Sequence, residues 1–128
     1  MVLRSLLLYL SRQKQMRRWM ETSPTAGRLT KRFVAGQTLD KGLEVCRRLN
    51  GEGILVTLDH LGENVTSIEE AAGSRDAYLE ALHRIAEQRL EATVSIKLTQ
   101  FALDLSEAVC RWNLDHLVAA ARELGGVA

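Results

Sequence analysis

Three charged side chains are placed where charge needs a partner: Asp59, Glu63 and Lys97. Asp59 closes the apolar run Ile54-Leu-Val-Thr-Leu-Asp59, and Glu63 follows shortly after, past Gly62. Lys97 lies in a second such run, Thr93-Val-Ser-Ile-Lys-Leu98. Successive residues of a strand point to opposite faces. Ile54, Val56 and Leu58 therefore oppose Leu55, Thr57 and Asp59, while Val94, Ile96 and Leu98 oppose Thr93, Ser95 and Lys97. Each run has one apolar face and one that turns polar toward its C-terminal end. On adjacent strands Asp59 and Lys97 would occupy corresponding positions, each favouring the other's ionised form. Glu63, just past the strand end, can join the same cluster. Buried charges are costly unless each is paired, so a group of this kind usually has a task. A lysine held this way can bind a substrate carboxylate, or form a Schiff base as in barrel aldolases. Spacing alone leaves both chemistries open.

The elements that must position these residues follow from periodicity and punctuation. Leu3, Leu6, Leu7 and Leu10 form one helical stripe in a segment running from Val2 to about Met20. Thr22-Ser-Pro-Thr25 is a loop signal, followed by a short helical stretch from about Ala26 to Phe33. Thr38 is a candidate N-cap for a helix carrying Leu39, Leu43, Cys46 and Leu49, ending at Asn50-Gly51. After the first strand, Ser67-Ile-Glu-Glu70 has capping-box spacing and opens a helix to about Leu90. After the second, Asp104-Leu-Ser-Glu107 repeats that spacing and opens a helix ending at Gly125-Gly126. The order is strand, helix, strand, helix. Two strands separated by a full helix are expected to be parallel, joined by a right-handed crossover. In a β/α barrel their polar ends would meet at the mouth, where active sites are built.

Composition adds bounds. A chain of 128 residues is long enough for a real hydrophobic core, and its 46% hydrophobic and 26% charged content is that of a soluble globular protein. The net charge of +1 conceals an asymmetry. Residues 1–32 carry eight basic side chains against the single acid Glu21, and the remainder is net acidic. A basic arm of this kind can dock on its own domain, an anionic membrane surface or nucleic acid. Nucleic acid is disfavoured by the acidic body, the few aromatics and the lack of a recognition motif. The apolar stretch Val2–Leu10 is about half of the roughly 20 residues a crossing helix needs. It runs into Arg12 and Lys14 without a small-residue cleavage site. A cytoplasmic protein is expected, peripheral at most to the inner membrane through its basic first helix. Cys46 and Cys110 lack metal or redox spacing and read as buried helical thiols. His60, His83 and His116 read as exposed or hydrogen-bonded structural residues, and Trp19 and Trp112 as packing residues on helix faces. No metal site is expected.

Phe33-Val-Ala-Gly-Gln-Thr-Leu39, the stretch Arg48–Thr66 with its Leu-Asp-His-Leu-Gly-Glu63, and Val94-Ser-Ile-Lys-Leu-Thr-Gln100 together resemble the opening of bacterial single-function proline dehydrogenases. Single pieces such as Leu-Gly-Glu are weak, but the ordered set is specific and covers essentially the whole chain. The resemblance implies a distorted (β/α)8 barrel holding FAD noncovalently. It implies oxidation of L-proline to Δ1-pyrroline-5-carboxylate, with electrons passed toward the quinone pool. Lys97 matches the lysine that contacts the proline carboxylate. Glu63 matches a glutamate that ion-pairs with a substrate-binding arginine, and Asp59 a strand-end aspartate with a supporting electrostatic role.

The expected architecture is α/β, with a helical segment over residues 1–52 and a partial barrel of two β/α units over 53–128. The family's flavin-contacting strands and paired arginines have no counterpart before Ala128, so the barrel is expected to be truncated. No catalytic residue is expected within the chain, and the 128 residues alone are expected to be inactive. Two other readings compete: a lyase using Lys97 as imine former, and a non-enzymatic basic interaction module.

Overall fold

The computed structural model describes residues 2–33, 35–62 and 65–125. The chain divides into two compact units, Met1–Thr38 and Leu39–Ala128. The first unit holds helices α1 (Val2–Ser11), α2 (Lys14–Thr22) and α3 (Pro24–Phe33). The expected single helix from Val2 to Met20 is therefore two. The break falls at Arg12 and Gln13, where Gln13 takes an extended conformation at φ −76°, ψ 113°. The Ser11 hydroxyl donates to the Leu8 carbonyl at 2.9 Å, a local bond that competes with helix continuation. The third helix starts two residues earlier than expected because Pro24 suits a first helical position, where its missing N–H costs nothing. On α1 the leucine stripe is exposed except at Leu10, which is half-buried.

The second unit contains α4 (Leu39–Gly51), β1 (Val56–Asp59), α5 (Ile68–Glu87), β2 (Ala92–Ser95), a 3-10 turn (Leu98–Phe101) and α6 (Glu107–Glu123). The strands are parallel, with Val56 opposite Ala92 and Asp59 opposite Ser95. Strand, helix, strand, helix is thus the observed order, and the fold is mostly helical around a small two-stranded parallel sheet.

Both strands are shorter than their apolar runs. Ile54 and Leu55 precede β1 because α4 ends in a tight turn, with Gly53 at φ +78° and the Ile54 N–H returning to the Leu49 carbonyl at 2.9 Å. Asn50 fastens this end of the sheet. Its amide nitrogen donates to the carbonyls of Ile54 (2.9 Å) and Glu91 (3.1 Å), and its oxygen accepts from the Glu91 N–H at 2.8 Å. One side chain thereby ties both strand starts to the helix before them.

The core lies between the sheet and the α5–α6 pair. Tyr78, Leu82, Phe101, Cys110, Leu117 and Ala121 form its buried cluster, with Val94 of β2 and Ile96 just past its end packed on it. The apolar face read from alternation is therefore the helix-covered face for Val94 and Ile96. Leu98 does not join them: it has left the strand and is 45% exposed.

Ser67 caps α5, accepting the Glu70 N–H at 3.1 Å. The return bond goes one residue further back than a capping box requires, from the Thr66 N–H to the Glu70 carboxylate at 2.8 Å. This helix stops at Glu87, short of the expected Leu90. Arg89 turns left-handed there, at φ +52°. At α6 the cap is Ser106, which accepts from the Val109 N–H at 3.3 Å, and not Asp104. Ala102, at φ +69°, reverses the chain after the 3-10 turn, and its carbonyl accepts the N–H groups of Leu105 and Ser106. Residues 104 and 105 are spent in that reversal, which moves the helix start two positions on.

Candidate functional site

The C-terminal ends of β1 and β2 bring Asp59 and Lys97 together, with Lys97 Nζ 3.7 Å from Asp59 Oδ2. The register behind this contact differs from the expected one. Asp59 pairs with Ser95, and Lys97 lies two residues beyond, in extended backbone leading into the 3-10 turn. Residues 95 and 97 share a face, so the side chain still reaches back to Asp59. Both side chains are partly open to solvent, at 45% for Lys97 and 38% for Asp59. Screening at that exposure limits what the pair adds to stability. The ammonium remains reachable by a ligand. Glu63, the third residue of the expected cluster, lies outside the described residues.

Beneath the pair sits a hub that sequence spacing did not indicate. Tyr78, from α5, is only 2% exposed, and its hydroxyl lies among the strand ends. It is 2.9 Å from the Ser95 carbonyl, 3.1 Å from Gln100 Oε1 and 3.3 Å from Asp59 Oδ1, and it accepts from the His60 N–H at 3.1 Å. Burial pushes the phenol's pKa up; the His60 backbone bond opposes this and the Asp59 charge adds to it. The hydroxyl therefore keeps its proton through the neutral range and acts as a donor. Gln100, fully buried, uses both ends of its amide. Its nitrogen donates to the His60 carbonyl at 2.6 Å, and its oxygen accepts the Lys97 N–H at 3.2 Å.

The other candidates take structural places. Cys46 and Cys110 are buried free thiols whose pKa burial raises, which makes them poor nucleophiles. The His60 ring meets Tyr78 edge-on, with centroids 5.9 Å apart. His116 stacks on Trp112, and the Arg75 guanidinium lies 4.8 Å from the Trp112 ring centre. Trp112 is thus a stacking platform on a helix surface, half exposed, and Trp19 is more exposed still. Among the described residues no cluster of His, Cys, Asp or Glu is arranged to hold a metal ion. No described helix is long and apolar enough to cross a membrane.

A cavity of about 850 Å³ opens elsewhere, lined by Leu82, Ile85, Leu90, Val94, Leu117 and Ala121 among others, and by neither Asp59 nor Lys97. It is a gap in packing beside both strands. Its walls are mostly apolar, with Arg89 and Glu91 also among the lining residues.

No family model matches the chain. Curated relatives do. Over 123 residues, 95% of its length, the chain is 35% identical to proline dehydrogenase 1 of Bacillus subtilis (strain 168). Proline dehydrogenase 2 of the same strain is 30% identical over 127 residues. The proline dehydrogenase of Deinococcus radiodurans is 28% identical over 101 residues, 77% of this chain. The resemblance carried by the motifs is thus borne out along nearly the whole sequence. The chain spans about two-fifths of the length of the Bacillus relatives.

Proposed function

We propose that the chain is the opening part of a proline dehydrogenase and supplies the carboxylate grip of its substrate site. The observation that carries this reading is the Lys97–Asp59 pair at the ends of parallel strands, in a chain similar to proline dehydrogenases over 95% of its length. Lysine is a compact cation suited to a carboxylate. In this reading it holds that of L-proline, and Asp59 keeps the ammonium oriented. Glu63 pairs with a substrate-binding arginine from elsewhere in the enzyme.

The proposed overall reaction is oxidation of L-proline to Δ1-pyrroline-5-carboxylate, with FAD as hydride acceptor and the quinone pool as the onward electron sink. In this reading FAD rests mainly on parts of the enzyme other than this segment, and further barrel strands flank the β1–β2 sheet, since parallel strands are ordinarily paired and covered on both faces.

The test is anaerobic addition of L-proline to the flavin-bound enzyme that contains this segment. Bleaching of the flavin absorbance, and proline-dependent reduction of a quinone analogue, are expected. The 128-residue chain purified alone should be colourless and inactive. Absence of proline-dependent bleaching in the longer enzyme would sink the function. A yellow, active 128-residue chain would sink the division of labour.

A cytoplasmic enzyme that feeds quinones must reach the membrane surface, and the first unit supports such a contact. Leu3, Leu7, Leu8 and Tyr9 are exposed on α1, followed by exposed Arg12, Lys14 and Arg18. An apolar helix beside basic side chains fits the interface of anionic lipid. The enzyme should sediment with vesicles containing anionic lipid and be released as salt rises. Equal sedimentation with neutral vesicles would argue against it.

A further inference from the structure

The hub under the Asp59–Lys97 pair is larger than the fold requires. A buried tyrosine hydroxyl is satisfied by one good acceptor, and the Ser95 carbonyl at 2.9 Å provides it. Yet the same hydroxyl also faces Asp59 Oδ1 and Gln100 Oε1, within 3.3 Å and 3.1 Å, with a single proton to share. Gln100 is buried completely, which is costly for an amide unless its nitrogen and oxygen are hydrogen-bonded. What they hold is the backbone on either side of the charged pair: the His60 carbonyl after β1 and the Lys97 N–H after β2. At the opposite end of the sheet one side chain, that of Asn50, makes three ordinary bonds to backbone groups.

Resting on the carboxylate-grip reading above, we infer that Tyr78 and Gln100 are positioning residues for Lys97, acting through Asp59 and through the Lys97 backbone. The phenol holds one carboxylate oxygen of Asp59, which leaves the other, Oδ2, facing the Lys97 ammonium at 3.7 Å. The Gln100 amide fixes where the Lys97 main chain leaves the strand. Between them they set both ends of a long flexible side chain. A lysine fixed in this way meets a carboxylate with less rotamer freedom left to lose.

The experiment uses the flavin-bound enzyme and a double-mutant cycle. Tyr78→Phe is expected to raise KM for L-proline about fivefold while kcat stays within about twofold, the pattern of lost ground-state binding. In an Asp59→Asn background the same substitution should change KM by less than about twofold, because its route is already cut. A tyrosine that only supports the fold would lower the melting temperature and leave the two KM effects multiplicative, which would overturn the inference. Gln100→Met is the second variant, expected to raise KM likewise; loss of the native fold in both variants would assign the hub to stability alone and also overturn it. Lys97→Met separates the two levels. If it leaves KM unchanged, the grip reading itself is wrong. If it raises KM while the Tyr78 and Gln100 variants do not, only the positioning role falls.

Discussion

Replacing Lys97 by methionine is expected to raise KM for L-proline between about ten- and a hundredfold in the flavin-bound enzyme, with little change in melting temperature. The two halves of that expectation rest on different magnitudes. Hydrogen bonds to charged groups contribute about 1.5–3 kcal/mol. Each 1.4 kcal/mol is roughly tenfold in affinity. Stability is a separate matter. The Lys97–Asp59 pair is 3.7 Å apart with both side chains substantially exposed, and exposed pairs typically contribute about 0–1 kcal/mol. Methionine keeps the unbranched stem, so packing of the aliphatic part changes little.

Lys97→Arg sharpens the test. Arginine keeps the charge but spreads it over a longer, planar fork placed differently from the compact ammonium, so partial recovery of KM is expected. An imine-forming lysine would behave differently: arginine would fail as completely as methionine, and borohydride with a carbonyl substrate would trap an adduct on Lys97. A KM within about threefold of the parent for Lys97→Met would remove the carboxylate grip from this residue.

The strand and helix order was legible because its signals are local. Alternation marks the runs Ile54–Asp59 and Thr93–Leu98, within or beside which β1 and β2 form at Val56–Asp59 and Ala92–Ser95, and Ser67 announces α5 by its own hydroxyl and the Glu70 that follows. The meeting of Asp59 and Lys97 was also legible, though for a register two residues off. It survived because a slip of two keeps a side chain on its face. What stayed hidden is long-range. Tyr78 is one more apolar-looking residue on the buried side of α5, and its hydroxyl partners lie 17 to 22 residues away in sequence. Gln100 looks like an ordinary polar turn residue until its burial is seen. Asp104 misled because an acid three residues before Glu107 has capping spacing. The left-handed turn at Ala102 was not readable from an alanine, and it handed the cap to Ser106.

Phe101→Ala is expected to be the most damaging single core substitution, costing about 3–5 kcal/mol. Phe101 has no exposed surface, and its ring packs 5.7 Å from that of Tyr78 within the cluster shared by α5 and α6. Whole domains are stable by only about 5–15 kcal/mol, so the loss consumes much of the margin. For a unit of this size the melting temperature should fall by at least about 12 °C. Arg111→Ala is the matched control: its side chain, on the outer face of α6, is 73% exposed, and its loss should stay within about 0.5 kcal/mol. The damage should also reach the site. Phe101 ends the short turn that begins beside Lys97 and contains Gln100, so a cavity there loosens the backbone that both of them use. Under conditions where Phe101→Ala remains folded, its KM for L-proline should rise along with the loss of stability. A melting temperature within about 3 °C of the parent would mean that the 3-10 turn is not anchored through this ring. A large fall in stability with KM unchanged would show instead that the grip of Lys97 is set independently of the core beneath it.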